Sequence, residues 1–566
     1  MSKRRQVFLS NLPILLLLLI NLIIGFIVVK NYGESWDEPI IYPYGSRTIQ
    51  VYSDFFQTGK IPTFQDEPLT SYGPVYYVAG DELSRLFSRI YPTWTNIDSW
   101  HFINFITFQI SILSLYFLAK KWLKKWAAFG TVLLFSTQPL LWGHAFINPK
   151  DIGFMSFFLA SVAVGLYMVD RVTESSNMHT SQKTESSSGK VEQTDKREDP
   201  GAPKSKNSTT LLLKGIRSFA SESLHLLLSP MVLGAGLLLG FTTSIRVLGP
   251  LAGGIVVLYA FGKSRRKAAV LLIPYFIIAG LTDYLTWPFL WQSPVFNYLD
   301  SLFAMSRFAN GLPMLFQGNI HNVLNLPKYY LPYLMAVQFT EVVLPLFVFG
   351  LLTSIWRIWK DKNIEPFFLI VVWLVIPLTA VIFSGAIYFD NFRHLLFLIP
   401  PIFFACGLAL EVLFTRIRKN IWRVLILIIL VFPGLYADVK LHPYQYVYYN
   451  SYVDGVRGAY HNYELDYWGV TFGEAAKYIN TVAIQNASVL VDGPSLVFQD
   501  YARPDLKIMD ILDIKPGSNF NYVVIYSRGD DDQSVCPTGQ TVKTIEREGA
   551  VLLTVKIPPV SEQGCP

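Results

Sequence analysis

The amino-terminal stretch Met1 to Glu38, MSKRRQVFLSNLPILLLLLINLIIGFIVVKNYGESWDE, carries three signals in order: the basic cluster Lys3-Arg4-Arg5, an apolar run from Val7 to Val29, and the adjacent acids of Trp36-Asp37-Glu38. The run is longer than the apolar core of a secretory leader and lacks an Ala-x-Ala-like cleavage site, so it reads as a retained spanning helix. Basic residues before it hold its start on the cytoplasmic side. The acids then emerge on the opposite face, at the rim of a helix bundle, where an ionisable group marks a site by default.

Working outward, ten more apolar stretches of spanning length follow, near 101–119, 126–143, 152–169, 229–245, 248–262, 268–287, 332–355, 366–384, 394–413 and 421–437. Eleven spans place the two termini on opposite sides. With the amino terminus inside, the inner loops hold Lys120, Lys121, Lys124 and Lys125, then Lys263, Arg265, Arg266 and Lys267, then Arg357, Lys360 and Lys362, then Arg416, Arg418, Lys419 and Arg423. A miscounted helix would put later clusters on the wrong face, so the agreement between loops supports the topology. Some of these stretches are short for a bilayer, which implies tilting or kinking, and Arg246 separates two of them.

Composition agrees. The 566 residues are 52% hydrophobic and only 16% charged, with 41 Phe and 31 Tyr, too apolar and aromatic for an ordinary soluble domain. The net charge of +6 comes from short clusters beside apolar runs and argues against nucleic-acid binding. The expected fold is therefore a polytopic α-helical membrane protein of about 11 transmembrane helices in the plasma (inner) membrane, with its amino terminus cytoplasmic.

The outer face then receives the first loop 31–100, the turn 144–151, the segment 288–331, the turn 385–393 and everything after 438. The inner face receives 171–210, a Ser, Thr, Lys and Glu-rich tract too polar to fold, expected to be disordered. The transmembrane region is taken as 1–437. Residues 438–470 are Tyr-rich and suit a membrane interface. Residues 471–566 read as a small extracytoplasmic α/β domain: Thr471-Phe472-Gly473-Glu474 looks like a capping-box start for a helix to about Val482, and Ser488–Val491, Tyr522–Tyr526 and Val551–Ile557 read as strands. Cys406 lies in an apolar run and reads as inert packing, whereas Cys536 and Cys565 can pair if their region lies outside.

Four outer positions carry candidate chemistry. Asp37 and Glu38 suit a general base and its neighbour, against the alternative of an ordinary polar loop. Lys150 and Asp151, in Asn148-Pro149-Lys150-Asp151, follow a helix-breaking proline at membrane depth, where polar backbone is tolerated if it lines a cavity; a plain helix cap is the rival for Asp151. Arg246, and Arg393 with His394, place basic groups at the outer ends of apolar helices, where Arg is a natural clamp for phosphate, the alternatives being snorkelling or pairing with a nearby acid. No Gly-rich nucleotide loop, metal-ligand Cys/His spacing or Gly-x-Ser-x-Gly elbow is present, so neither a nucleotide cofactor nor a metal is indicated. Together these features suit a lipid phosphate approached from the bilayer.

Trp36-Asp37-Glu38, Asn148-Pro149-Lys150-Asp151 and Arg393-His394-Leu395-Leu396-Phe397-Leu398-Ile399-Pro400-Pro401, with Tyr448-Tyr449-Asn450 and Glu464-Leu465-Asp466-Tyr467-Trp468-Gly469 behind them, resemble in order and spacing the GT-C superfamily of integral-membrane glycosyltransferases. The likeness is to the protein O-mannosyltransferase-like branch (glycosyltransferase family 39-like), which is related to the aminoarabinose transferases of lipid A. It covers residues 1 to 470. It implies a polyprenyl-phosphate sugar donor, Asp37 as base with Glu38 as its neighbour, and inverting transfer to an acceptor hydroxyl on the outer face; Asp151 is a further catalytic candidate from its own position. Lys150, Arg246, Arg393 and His394 are the candidates for the donor phosphate. The adjacent acids differ from the Asp-x-Asp of the metal-dependent branch, so no obligatory metal is expected. There is no room for an internal β-trefoil, which leaves a protein, lipid or glycan acceptor open. A transporter or flippase of lipid-linked sugars is the alternative; it would be expected to show internal repeats and to use both faces, and neither is evident.

Overall fold

The computed structural model describes residues 3–61, 72–187, 217, 219–306, 312–514 and 518–559. Among these, seven helices are long and apolar enough to cross a membrane: Asn11–Asn31, Asn96–Lys120, Pro149–Glu174, Arg265–Thr286, Val343–Asp361, Glu365–Ser384 and Asn420–Lys440. The bent pair Phe219–Leu227 and Pro230–Thr243 makes an eighth if it is one span. Leu19, Ile23 and Ile27 on the first helix and Ile428, Ile429 and Phe432 on the last lie exposed. Such apolar surface is stable only against lipid, and the protein is a multi-pass membrane protein.

All eleven expected stretches contain helix, but several are broken. The stretch 126–143 divides into Lys125–Ser136 and Pro139–Ile147, and 394–413 into a 3-10 turn Arg393–Leu398 and the helix Pro400–Arg416. A proline cannot donate to the turn before it and crowds that turn's carbonyl, so each new helix starts at proline. The stretch 332–355 divides into Tyr330–Val337 and Val343–Asp361. Two of the breaks satisfy each other: Thr340 N donates to Gln138 Oε1 at 3.0 Å, and Gln138 Nε2 donates to Leu134 O at 2.9 Å. Polar backbone at membrane depth is tolerated here because protein groups replace water.

The helix from Pro149 runs on to Ser187, so the first part of the polar tract 171–210 is helical rather than unfolded. Once nucleated by the apolar segment, a helix extends through Glu, Lys, Gln and Met at little cost. The remainder of that tract lies outside the described residues.

Contacts divide the chain into two units. One comprises 61–75 and 157–299. In it the helices Pro230–Thr243 and Arg265–Thr286 pack so closely that a Cβ on Gly240 would lie 2.4 Å from Thr282 Cβ. The other comprises 1–60, 76–156 and 300–566 and, among the described residues, carries every strand.

In that second unit a short hairpin joins β1 (Pro313–Phe316) to β2 (Asn319–Asn322), and a five-stranded sheet follows near the carboxyl terminus: β3 (Ser488–Asp492), β4 (Lys507–Asp510), β5 (Tyr522–Tyr526), β6 (Gln540–Arg547) and β7 (Ala550–Ile557). Its order is β4-β3-β5-β7-β6, parallel across β4, β3 and β5 and antiparallel beyond. Leu490, Val523, Ile525 and Cys536 form a buried cluster on it. Cys536 is disulfide-bonded, Cys406 is a buried free thiol, and Cys565 lies outside the described residues.

The expected helix forms at Phe472–Val482, but without a side-chain cap. Thr471 Oγ1 donates instead to the buried Asp466 carboxylate. In the Tyr-rich segment 438–470, Tyr444, Tyr446, Tyr448 and Tyr449 are buried, whereas Tyr452 is exposed. Three of the buried hydroxyls have protein partners, Tyr444 on Glu474 at 2.9 Å, Tyr446 on Asp466, and Tyr449 on the Glu464 carbonyl at 3.1 Å, which offsets the cost of burying them.

Candidate active site

Three chain breaks build the site. At the first, the loop before the helix Glu38–Thr58 is pinned by Trp36 N donating to Trp468 O at 2.9 Å. Gly33 makes the approach possible, since a Cβ there would lie 2.5 Å from Val470 O. Glu38 then holds the turn from within: its carboxylate accepts from Ser35 N at 2.6 Å and from the Tyr42 hydroxyl, and meets His101 Nε2 at 3.0 Å. Glu38 is fully buried, whereas its neighbour Asp37 keeps 19% of its side chain exposed.

At the second break, Asn148 Oδ1 accepts from Asp151 N at 3.0 Å, and Asn148 Nδ2 donates to Asp151 Oδ2 at 3.0 Å. This cap fixes the start of the helix that carries Lys150. At the third, Asp390 and Asn391 adopt left-handed backbone, φ 53° and 62°, tolerated best by these two residue types after glycine, and the chain re-enters a helical turn at Arg393.

The breaks converge. Lys150 Nζ lies 2.8 Å and Arg393 Nη1 3.3 Å from the same Asp37 oxygen, Oδ2. Arg393 Nη1 is also 3.8 Å from Asp151 Oδ2, and Arg393 Nη2 is 3.0 Å from Asp390 Oδ2. The other Asp390 oxygen, Oδ1, takes Arg528 Nη2 at 2.8 Å. The Arg393 guanidinium lies over the Trp468 ring, 4.3 Å from its centroid. Three carboxylates thus interleave with three cations, a network that keeps each buried charge compensated.

Burial alone would raise the pKa of Asp37, but the charges of Lys150 and Arg393 and their hydrogen bonds outweigh it and hold the carboxyl below its ordinary value. Asp37 is therefore an anion at neutral pH. Asp151 and Asp390, with side chains 1% and 4% exposed, are closed off. Asp37 and Lys150, at 19% and 14%, are the accessible acid and base of the cluster.

Of the residues singled out in the sequence, Asp37, Lys150, Asp151 and Arg393 meet in this cluster. Glu38 serves the turn behind it. His394 packs edge-on against Phe389, ring centroids 4.7 Å apart. Arg246 belongs to the other unit, where it is buried with its guanidinium 5.8 Å from the Tyr72 ring centroid. Asp390, Arg528 and Trp468 were not singled out as site residues. Asp390 lies three residues before Arg393, a spacing that signals pairing, but nothing local to Ser527-Arg528-Gly529 distinguishes that turn. Among the described residues no group of three or more His, Cys, Asp or Glu is arranged to hold a metal ion.

No protein-family model and no curated protein matches this chain. Solved structures similar to it include an oligosaccharyltransferase of Archaeoglobus fulgidus in the apo form, 12% identical with a TM-score of 0.45 over 92% of this chain and 70% of that one. ArnT from Cupriavidus metallidurans bound to undecaprenyl phosphate is 12% identical with a TM-score of 0.44 over 98% of each chain. The arabinofuranosyltransferase AftD from Mycobacteria is 11% identical with a TM-score of 0.40 over 97% of this chain and 40% of that one. At this identity and superposition the likenesses bear on neither substrate nor mechanism.

Proposed function

We propose that this protein is a membrane glycosyltransferase that moves a sugar from a polyprenyl-phosphate donor to an acceptor hydroxyl, with inversion at the anomeric carbon and Asp37 as the base. The supporting observation is the sharing of one Asp37 oxygen by Lys150 and Arg393, 2.8 and 3.3 Å away. A phosphate and Asp37 compete for the same two cations, so a donor phosphate seated on Lys150 and Arg393 frees Asp37 to accept a hydroxyl proton.

The step balances simply. The acceptor oxygen attacks the anomeric carbon, the bond from that carbon to the phosphate oxygen breaks, polyprenyl phosphate leaves as an anion held by Lys150 and Arg393, and the hydroxyl proton passes to Asp37. A carboxylate of low pKa cannot ionise an alcohol in advance, so proton transfer accompanies C–O bond formation. Positioning and electrostatic stabilisation of the leaving phosphate supply the rate enhancement. The order and spacing of the Trp36-Asp37-Glu38, Asn148-Pro149-Lys150-Asp151 and Arg393-His394 motifs support the same reading, as does a multi-pass fold that admits a lipid-linked substrate. The acids and cations then act on the extracytoplasmic face together with the carboxyl-terminal sheet, an orientation consistent with the disulfide at Cys536.

The test is a panel of labelled polyprenyl-phosphate sugars presented to the reconstituted protein with a membrane extract as acceptor source. The expected result is label in the acceptor fraction with polyprenyl phosphate released in equal amount. Passage of intact donor across the bilayer without release would replace the enzyme by a transporter.

A further inference from the structure

At the far ends of the helices that carry the candidate site lies a second charged feature. Helix Pro400–Arg416 begins just after Arg393–Leu398 and ends about 25 Å of helix later at Arg416. There Lys124, Trp356, Arg357, Lys360, Asp361, Glu411 and Arg416 line a cleft of about 500 Å³.

The charges do not balance. Glu411 is buried and already engaged by Lys124, accepting from its backbone N at 2.9 Å and lying 3.8 Å from its Nζ. That leaves Asp361 against Arg357, Lys360 and Arg416. Lys360 Nζ rests over the Trp356 ring, 4.4 Å from the centroid. Among the described residues, Arg357 and Arg416 form no ion pair. Two guanidinium forks that line one cleft and have no carboxylate partner match a phosphodiester, which accepts paired N–H donors.

The surroundings choose the source of that phosphate. The two helices that line the cleft also expose apolar side chains, Leu352, Ile355 and Leu413, and the exposed Trp356 and Trp359 suit the boundary of headgroup and acyl chain. A soluble anion gains nothing from that apolar margin, whereas a phospholipid lays its chains along it.

We infer that this cleft binds the headgroup of an anionic phospholipid, with Arg357 and Arg416 on its phosphate and acyl chains against Leu352 and Leu413. The site is separate from the Asp37 cluster and does not depend on the reaction proposed there.

The test is lipid retention, measured by mass spectrometry on protein exchanged into micelles that contain phosphatidylglycerol or phosphatidylcholine. Wild type should retain phosphatidylglycerol preferentially. The double variant Arg357→Gln/Arg416→Gln, changed at one half-buried and one exposed position, should lose affinity for it about 30-fold, since each of the two basic residues at an anionic surface contributes about 1 kcal/mol. The control Arg418→Gln/Lys419→Gln, outside the cleft, should retain it. Equal retention of the two lipids, equal loss in the control, or displacement of the lipid by millimolar inorganic phosphate or glycerophosphoglycerol would each overturn the assignment, the last by making it a site for small anions.

Discussion

Asp37 and Glu38 are adjacent in sequence and opposite in circumstance. Glu38 has its oxygens occupied by Ser35, Tyr42 and His101, while Asp37 faces the cations Lys150 and Arg393 and keeps some exposure. An acidic pair is visible in sequence, but which member is accessible depends on partners from distant segments, and no local pattern encodes them. A third acid of the same loop, Glu34, was not singled out at all. Burial, then the Glu38 carboxylate, then Asp500 push its pKa up to about 9. Between the ordinary carboxylate range and that value the folded protein holds a proton that the unfolded chain has released, so this group's contribution to stability falls as pH rises. Glu34→Gln has no such proton to lose. The melting temperature of the variant minus that of wild type should therefore grow from about pH 5 to about pH 9; a difference independent of pH would remove the assignment.

The site is made where elements end. Asp37, Lys150 and Arg393 are legible in the sequence because each is a charged residue at the outer end of an apolar run, Lys150 with Pro149 beside it. Arg528 has no such mark, since it lies just after β5 in the carboxyl-terminal sheet and reaches Asp390 only through the fold. Its turn is held by Glu464, which accepts from Gly529 N at 3.2 Å and from Leu315 N at 2.6 Å. Removing Arg528 leaves Asp390 with Arg393 as its one remaining countercharge in this cluster, which draws Arg393 away from Asp37 and from any phosphate. Arg528→Ala should thus weaken polyprenyl-phosphate binding on the order of tenfold, the size of coupling expected between residues of one ion-pair network. Adding Asp390→Asn removes the stranded charge, and the double variant should bind better than Arg528→Ala alone. Additive losses measured in that cycle would show that Arg528 does not act through Asp390.

For the whole molecule, hydropathy and basic clusters were enough for a polytopic helical fold, because both are properties of composition along the chain. The breaks within spans and the division into two units depend on packing, which leaves no period in the sequence. In the carboxyl-terminal sheet β3, β5 and β7 are apolar enough to read as strands. By contrast, β4 (Lys507–Asp510) has only four residues, and β6 (Gln540–Arg547) alternates too many polar groups. That sheet is part of the site's support, since Arg528 completes a balance of Asp37, Asp151 and Asp390 against Lys150, Arg393 and Arg528. The central claim is that Asp37 takes the acceptor proton while sharing its cations with the donor phosphate. It is tested most directly by polyprenyl-phosphate release from reconstituted wild type and Asp37→Asn under the same donor and acceptor, with polyprenyl-phosphate binding measured on the same preparations. The variant should bind polyprenyl phosphate at least as tightly, because the amide no longer competes for Lys150 and Arg393, yet release it from the donor about 10²- to 10⁴-fold more slowly. Turnover at the wild-type rate, or slow turnover accompanied by lost binding, would contradict the account.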